Sequence, residues 1–392
     1  MNIGIDKIGL AVPDYYLDLK DLARARQIDP DKYLLGLMQD KMAVAPSSQD
    51  IVTLAAQAAD SILTEEDKAS IDMIILGTES GIDQSKAAAV YVHSLLDIQP
   101  FARSIELKEA CYGATAGLEM ARNHIMAHPQ SKVLVIASDL AKYGPQSAGE
   151  PTQGAGSIAM LVTANPRLLR LNLDNTYQTR DVMDFWRPNY SPYPEVDGHF
   201  STLQYLDCLT TTLTRYQENT QKSLEDFAAV LFHIPFSKLG LKALQKITKT
   251  APEDIRTRLT DRFEEAVRYN RQVGNIYTGS LFLSLLSLLE NSRDLKGGDN
   301  ILLYSYGSGA VCELFSGQLV DGYESQLTGN HQSLLANRRQ ISVAEYEQLF
   351  FGKIELDRDG TSADLAEENT AFALKKIENH KRIYSKKSDD DK

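Results

Sequence analysis

Three short, almost continuously apolar runs organise the first half of the chain: IDMIILGTES (71–80), KVLVIASD (132–139) and SIAMLVT (157–163). Runs of this length, apolar on both faces, are the pattern of strands buried inside a sheet. Between the first two lie VYVHSLLDI (90–98) and then ELKEACYGATAGLEMA (106–121), where small residues from Gly113 to Gly117 open a helix. The alternation predicts α and β layers around a largely buried sheet. From Gln272 to Leu289 there is no charge, but Gln272, Asn275, Thr278, Gly279, Ser280, Ser284 and Ser287 interrupt the run. Its continuously apolar part is too short to cross a bilayer, which predicts a buried core helix and no membrane partner.

The second half repeats the programme. FAAVLFHIP (227–235) matches IDMIILGTES, NIYTGSLFLSLLSLLE (275–290) matches the helix after Cys111, and GSGAVCELF (307–315) matches GAGSIAMLV (154–162). The offsets are 154 residues from Glu79 to His233, 164 from Cys111 to Asn275, and 153 between the glycine motifs. Three matches in one order point to a duplication. The predicted halves are 1–165, carrying Glu79 and Cys111, and 166–392, carrying His233 and Asn275. An inserted loop region at about 175–220 contains DFWRPNYSPYPEVDGHFS, a composition expected of an ordered loop forming a pocket wall or lid. Beyond residue 316 the chain becomes charged and amphipathic, and the final SKKSDDDK reads as a solvated tail.

Composition narrows the classes. A chain of 392 residues with 43% hydrophobic content can fill a large core. Its net charge of −12 argues against wholesale nucleic-acid binding, which needs a basic face. Three cysteines cannot build a disulfide framework and suit reduced thiols in a cytoplasmic setting. The opening MNIGIDKIGLAVP lacks the features of a signal peptide. The seven histidines are scattered, with no CxxC or HExxH, so no metal is expected.

Several residues carry candidate chemistry, each beside a plainer reading. Cys111 stands at a strand-to-helix turn, where free N–H groups and the helix dipole favour a thiolate able to take an acyl group; most free cysteines are simply small buried hydrophobes, as Cys208 and Cys312 are expected to be. His233 ends a strand that Pro235 stops, placed to act as acid, base or hydrogen-bond donor, or to serve structure. Glu79 follows a strongly apolar strand; burial would raise it into general-base range, whereas a solvated loop carboxylate is the ordinary alternative. Asn275 opens the second long helix, as an N-cap, a substrate-orienting amide, or both. In SKLGLKALQKITK (237–249), Lys238, Lys242, Lys246 and Lys249 fall on one helical stripe and Leu241, Leu244 and Ile247 on the other. Lys246 and Lys249 suit a surface helix; Lys238 and Lys242, just past His233, suit the phosphates of a small polyanionic molecule. GAGS and GSGA lack the continuation of phosphate loops and read as tight turns, with the N–H near Ser308 able to join that of Cys111 in an oxyanion hole.

The duplicated halves, the cysteine at a buried helix start, and the later histidine and asparagine resemble the thiolase-like condensing enzymes. Within that superfamily GTESGIDQSK, ELKEACYGATAGL, DFWRPNYSPYPEVDGHFS, HIPFSKLGLKAL, GNIYTGSLFLSL and YSYGSGAVCELF resemble the bacterial 3-hydroxy-3-methylglutaryl-CoA synthase family over nearly the whole chain. The resemblance implies an α/β thiolase-like fold, its halves forming five αβαβα layers with the site between them. It implies a homodimer with acetyl-CoA and acetoacetyl-CoA as substrates and no cofactor, at the head of mevalonate and isoprenoid synthesis. Cys111 would form an acetyl-enzyme, Glu79 would remove a methyl proton, and His233 would polarise and protonate the acceptor ketone. Asn275 and Ser308 would hold the acetoacetyl group, with Asp29, Tyr143, Thr152 and Ser201 contacting substrate and Lys238 and Lys242 meeting the CoA phosphates. A ketoacyl synthase also uses Cys, His and Asn but has no use for Glu79, and its HQAN pattern is absent from HIPFSK. A degradative thiolase needs a cysteine just before the last GxG, where Ser305 and Tyr306 stand. A non-catalytic acyl-CoA-binding protein would not need Glu79, Cys111 and His233 together.

Overall fold

Alternation along the strands decides the layering. In the computed structural model, which describes residues 1–327, 330–366 and 370–387, strand β1 (Ile3–Ala11) lies in the middle of a ten-stranded sheet. The other strands are β2 (Ile71–Gly77), β3 (Arg103–Leu107), β4 (Lys132–Ala141), β5 (Gly154–Ala164), β6 (Leu169–Leu171), β7 (Thr176–Thr179), β8 (Ala229–Phe232), β9 (Asn300–Gly307) and β10 (Val311–Leu319). Their order is β8-β9-β10-β6-β1-β5-β4-β2-β3, with β7 paired to β10. The short β6 joins the two halves, pairing with β1 on one side and β10 on the other.

The duplication is visible in strand direction. β2 and β4 pair in parallel and β5 returns antiparallel; β8 and β9 pair in parallel and β10 returns antiparallel. Ile75, Val133 and Val135 of the first half and Ala229, Leu231, Ile301 and Leu303 of the second face one shared core. The intervening residues face outward into two separate cores: Ile74, Leu76, Leu134 and Ile136 into one, and Val230, Phe232, Leu302 and Tyr304 into the other.

Seven helices fill these layers. The shared core holds α3 (Gly113–Ala127) and α7 (Ser280–Asn291). α1 (Ile51–Asp60) and α2 (Ala88–Leu95) cover the first half, and α4 (Gly198–Thr220), α5 (Ser237–Ile247) and α6 (Glu253–Ala266) the second. The result is the expected five αβαβα layers. Helix α7 is buried on every side from Ser280 to Leu289, as a central layer requires. Each of its leucines contributes about 1.5–3 kcal/mol of apolar burial. Its serines are satisfied locally, Ser284 by Asn270 and Ser287 by the Glu265 carbonyl.

Three expectations are corrected. α7 begins at Ser280 rather than Asn275, because residues 277–279 form a separate 3-10 turn. The region at 175–220 is not mainly loop: it contains the 23-residue helix α4, N-capped by Asp197, whose side chain accepts from the Phe200 N–H. Ser385 and Lys386 are not tail but part of a hairpin, Phe372–Glu378 with Lys381–Lys386, that buries Phe372 against the first half; the remainder of SKKSDDDK beyond residue 387 lies outside the described residues.

Candidate active site

Cys111 sits between the end of β3 and the start of α3, in a turn closed by the Tyr112 N–H donating to the Glu109 carbonyl at 2.9 Å. Ala110 takes φ +41°, an uncommon conformation for a residue with a side chain, and so turns Cys111 towards the helix N-terminus. The tight helix start explains the small residues: a Cβ on Gly77 would stand 2.4 Å from the Ala114 nitrogen. Thr115 then ties α3 to the second half through the Ser305 hydroxyl at 2.8 Å.

Glu79 lies two residues past β2, and its Oε1 accepts from Cys111 Sγ at 3.1 Å. Burial, reinforced by the nearby Asp139 charge, pushes the Glu79 carboxyl up to about 8. Burial and the Glu79 carboxylate likewise push the Cys111 thiol well above its ordinary value. The expected resting thiolate is therefore not met: two adjacent half-buried acids disfavour each other's charge.

His233 directly follows β8. Its N–H donates to the Tyr304 carbonyl at 2.8 Å and its carbonyl accepts from the Tyr205 hydroxyl at 2.9 Å, so the backbone is pinned on both sides. Burial lowers the imidazole to about 3, and Nδ1 has no hydrogen-bond partner among the described residues. The ring is a neutral one with polar capacity to spare.

Cys111 and His233 meet at a cavity of about 220 Å³ whose wall also includes Tyr143, Thr152, Ser201, Asn275 and Ser308; Glu79, in contact with Cys111, lines two neighbouring cavities instead. The Asn275 side chain donates to the Tyr143 hydroxyl at 3.0 Å and accepts from the Tyr277 N–H and Ser280 hydroxyl, both at 2.9 Å. It therefore organises the turn before α7 and does not cap that helix. Thr152 accepts the Asn275 N–H through its carbonyl at 3.0 Å. Tyr143, Phe185 and Tyr277 pack ring to ring at 5.9–6.1 Å around the cavity.

Three further expected residues, Asp29, Lys238 and Lys242, lie outside that wall. Asp29 is exposed and accepts the Asp31 N–H at 3.0 Å, opening a short helix whose following loop brings Leu37 to the cavity. Lys238 and Lys242 stand on α5, Lys238 half-buried beside the rim residues Phe236 and Leu239 and Lys242 exposed one turn on. GSGA is the turn between β9 and β10, but GAGS is the start of β5, where a Cβ on Gly154 would meet the Val273 and Asn275 carbonyls at 2.6 Å. The Gly309 N–H beside Ser308 already donates to Asp184 at 2.9 Å and is not free for an oxyanion.

Sequence reading missed Asp139, Asp184 and Arg187. Asp139 is fully buried: one oxygen accepts from the Thr78 hydroxyl, the Glu79 and Ser80 N–H groups and the Ser80 hydroxyl, the other from Thr278. A carboxylate inside the apolar strand KVLVIASDLA was the available signal. Arg187 donates to the Glu79 carbonyl. Among the described residues no group of three or more His, Cys, Asp or Glu is placed to hold a metal ion, and no helix is long and apolar enough to cross a membrane.

The duplicated layers, with Cys111 and His233 on one cavity and Glu79 hydrogen-bonded to that cysteine, define a thiolase-like condensing enzyme. Comparison narrows the class. The N-terminal family model of hydroxymethylglutaryl-coenzyme A synthase matches residues 1–166, and the C-terminal model matches 169–258 and 245–387. A hydroxymethylglutaryl-CoA synthase of Enterococcus faecalis is 52% identical over 98% of this chain and 100% of its own length. A crystal structure of an HMG-CoA synthase complexed with CoA is 56% identical with a TM-score of 0.97, covering 98% of this chain and 100% of that one. MvaS in complex with 3-hydroxy-3-methylglutaryl coenzyme A is 34% identical with a TM-score of 0.89 and covers 99% of each chain. The chain belongs to the hydroxymethylglutaryl-CoA synthase family.

Proposed function

We propose that this enzyme condenses acetyl-CoA, acetoacetyl-CoA and water to 3-hydroxy-3-methylglutaryl-CoA and CoA, the committed carbon–carbon step towards mevalonate. The observation that carries the reading is the 3.1 Å hydrogen bond to Glu79 from Cys111 Sγ, the cysteine that lines one cavity with His233.

Cys111 attacks the thioester carbonyl of acetyl-CoA; the carbon–sulfur bond to CoA breaks, and the thiol proton ends on CoA. An acetyl group on Sγ places its methyl carbon within reach of a carboxylate already one hydrogen bond from that sulfur. Glu79, in its ionised form, takes a methyl proton. The carbanion adds to the ketone carbon of acetoacetyl-CoA, whose oxygen receives a hydrogen bond from the neutral His233 ring. A tertiary alkoxide is a stronger base than imidazolate, so the ring proton can pass to it; the proton Glu79 took is then relayed through water back to the ring, leaving Glu79 ionised again. Water then cleaves the Cys111 thioester, giving the free carboxyl group of the product and the thiol. Holding the acyl group covalently divides a difficult condensation into separate steps.

Asn275 and Ser308 hold the acetoacetyl group in this reading, Tyr143, Thr152 and Ser201 shape its pocket, Asp29 contacts substrate at the outer rim, and Lys238 and Lys242 meet CoA phosphates. The working division of the chain is 1–165 and 166–392. The reading includes a cytoplasmic location, which the three free cysteines suit, and no cofactor. A homodimer is supported by β3 at the edge of the sheet and by Phe101 beside it, 90% exposed; light scattering on the purified chain tests that.

The deciding experiment mixes purified enzyme with both thioesters and identifies products by mass spectrometry. Product that depends on both substrates is expected, with acetyl on Cys111 when acetyl-CoA is given alone. Cys111→Ser should carry no acetyl group; Glu79→Gln should acetylate without condensing. Acetylation in the first variant, or normal turnover in the second, defeats the corresponding assignment.

A further inference from the structure

The segment following β7 folds back over the Glu79 side of the site. Asp184 anchors it, accepting from the Tyr306 hydroxyl at 2.7 Å, the Ser201 hydroxyl at 3.2 Å and the Gly309 N–H at 2.9 Å. Phe185 and Trp186 pair with Val196 and Glu195, which sets Phe185 against Tyr143 and Tyr277. The next residue, Arg187, leaves this ribbon and donates from its guanidinium to the Glu79 carbonyl. Two cavities of about 570 and 480 Å³ flank the contact, the larger one mainly polar, and Glu79, Lys108 and Arg187 line both.

We propose that Arg187 is a positioning residue for Glu79, fixing the turn that carries the base and setting a permanent positive charge beside it. The inference rests on Glu79 being the base that takes the methyl proton. Its backbone N–H is already held by Asp139, so Arg187 completes the restraint from the carbonyl side. A residue whose backbone is held at both its N–H and its C=O gives its carboxylate less freedom to swing away from the acetyl group.

The charges acting on the Glu79 carboxyl are unequal in number and sign. Asp139 and Glu109 oppose its ionisation, as does burial, while Arg187 favours it and Cys111 donates to it. Tyr143 and Tyr277 face it as neutral phenols. Lys108, Lys142, Asp50, Asp83 and Glu106 line the larger polar cavity with it. At residue 187 both charge and reach to a carbonyl are used, and the planar guanidinium provides both.

The test compares Arg187→Met and Arg187→Lys with the unsubstituted enzyme across pH 6–10, reading Cys111 acetylation and condensation separately. Removing the cation raises the pH at which Glu79 ionises. In Arg187→Met the acid limb of condensation should therefore move up by about one pH unit, the low end of the effect of a close charge. Condensation should fall about tenfold below that limb and recover towards the unsubstituted rate above it, while acetylation stays within about twofold. Arg187→Lys should restore most of the limb. An unmoved limb, or a uniform loss across all pH values that lysine does not relieve, overturns the inference. Glu79→Gln, run beside them, separates the two claims: normal condensation there removes the base assignment itself, whereas an inactive Glu79→Gln with an unmoved Arg187→Met limb removes only the role of Arg187.

Discussion

The Asp139 carboxylate of the first half receives both the backbone N–H of Thr278 in the second, at 3.1 Å, and its hydroxyl, at 2.5 Å. Its other oxygen holds the Glu79 N–H at 2.9 Å. One buried side chain thus sets the distance between the turn carrying Glu79 and the turn that follows Asn275. The site lies between the duplicated halves, and this is the hydrogen-bonded joint that keeps their two turns in register.

Replacing Asp139 tests that joint. Asp139→Ala leaves the donors of Thr78, Glu79, Ser80 and Thr278 without their shared acceptor, in a position no solvent reaches. Orphaned buried donors cost about 1–3 kcal/mol each when unrelieved, and adjacent losses are not additive. A stability loss of about 3 kcal/mol in denaturant titration is expected, with condensation more impaired than acetylation. Asp139→Asn keeps the volume and should cost less stability while still disturbing one of the two turns. A neutral effect of Asp139→Ala on both measurements contradicts the joint.

His233 yields a prediction about pH. Burial lowers its ring to about 3, against an ordinary value of 6.5. Between those values the unfolded chain binds a proton that the folded chain refuses, so stability rises with pH through the window and levels off above 6.5. The ring signals of His233 in an NMR titration should not move between pH 5 and 8. His233→Asn should unfold at lower pH than the parent enzyme, having lost the group that must charge. A His233 titration midpoint near 6.5 would contradict the neutral-donor role.

Much of this was legible from local pattern, and the gaps have physical reasons. Strands β2, β4 and β5 are apolar on both faces and bounded by polar residues, so their position and burial followed from composition. Helix α4 went unread although Tyr205, Cys208, Leu209, Thr212, Leu213 and Tyr216 recur at helical spacing. Its threonines and aromatics are weak helix formers, and the Pro- and Tyr-rich segment before it drew attention to loop. Glu79, Cys111 and His233 could be singled out because each breaks an apolar pattern at an element end. Asp139 breaks the pattern within a strand, and Arg187 lies in a segment without period. Their partners lie 59 or more residues away, where spacing gives no guide.

The shifted carboxyl at Glu79 implies a cost to folding that function retains. Its ordinary value is 4.5 and in the folded enzyme it is about 8. Between those pH values the folded chain keeps a proton that the unfolded chain releases, so stability falls as pH rises and is level above about 8. Glutamine keeps the shape and an acceptor for Cys111 but never ionises. Glu79→Gln should therefore match the parent enzyme in unfolding free energy and Tm near pH 4.5 and exceed it increasingly up to pH 8, where the gain in free energy is about 1–2 kcal/mol, the scale of relieving a functional site. A Tm difference independent of pH would show that the carboxyl is not held neutral by burial.

The lysines of α5 give a prediction about salt. Lys238 stands half-buried at the cavity rim and Lys242 is exposed one turn further out, and neither forms an ion pair among the described residues. An exposed lysine meeting a phosphate contributes about 0.2–1 kcal/mol, and salt screens it. Lys242→Ala should raise KM for acetoacetyl-CoA about two- to fivefold at low ionic strength with little change in kcat, and the difference should shrink in half-molar salt, about three times the physiological level. Lys238→Ala should do more, since its charge is less solvated. Thioesters of pantetheine, which lack the nucleotide phosphates, should be handled alike by all three enzymes. A KM penalty that persists on pantetheine thioesters would instead mean that the substitutions disturb the cavity wall at Phe236 and Leu239.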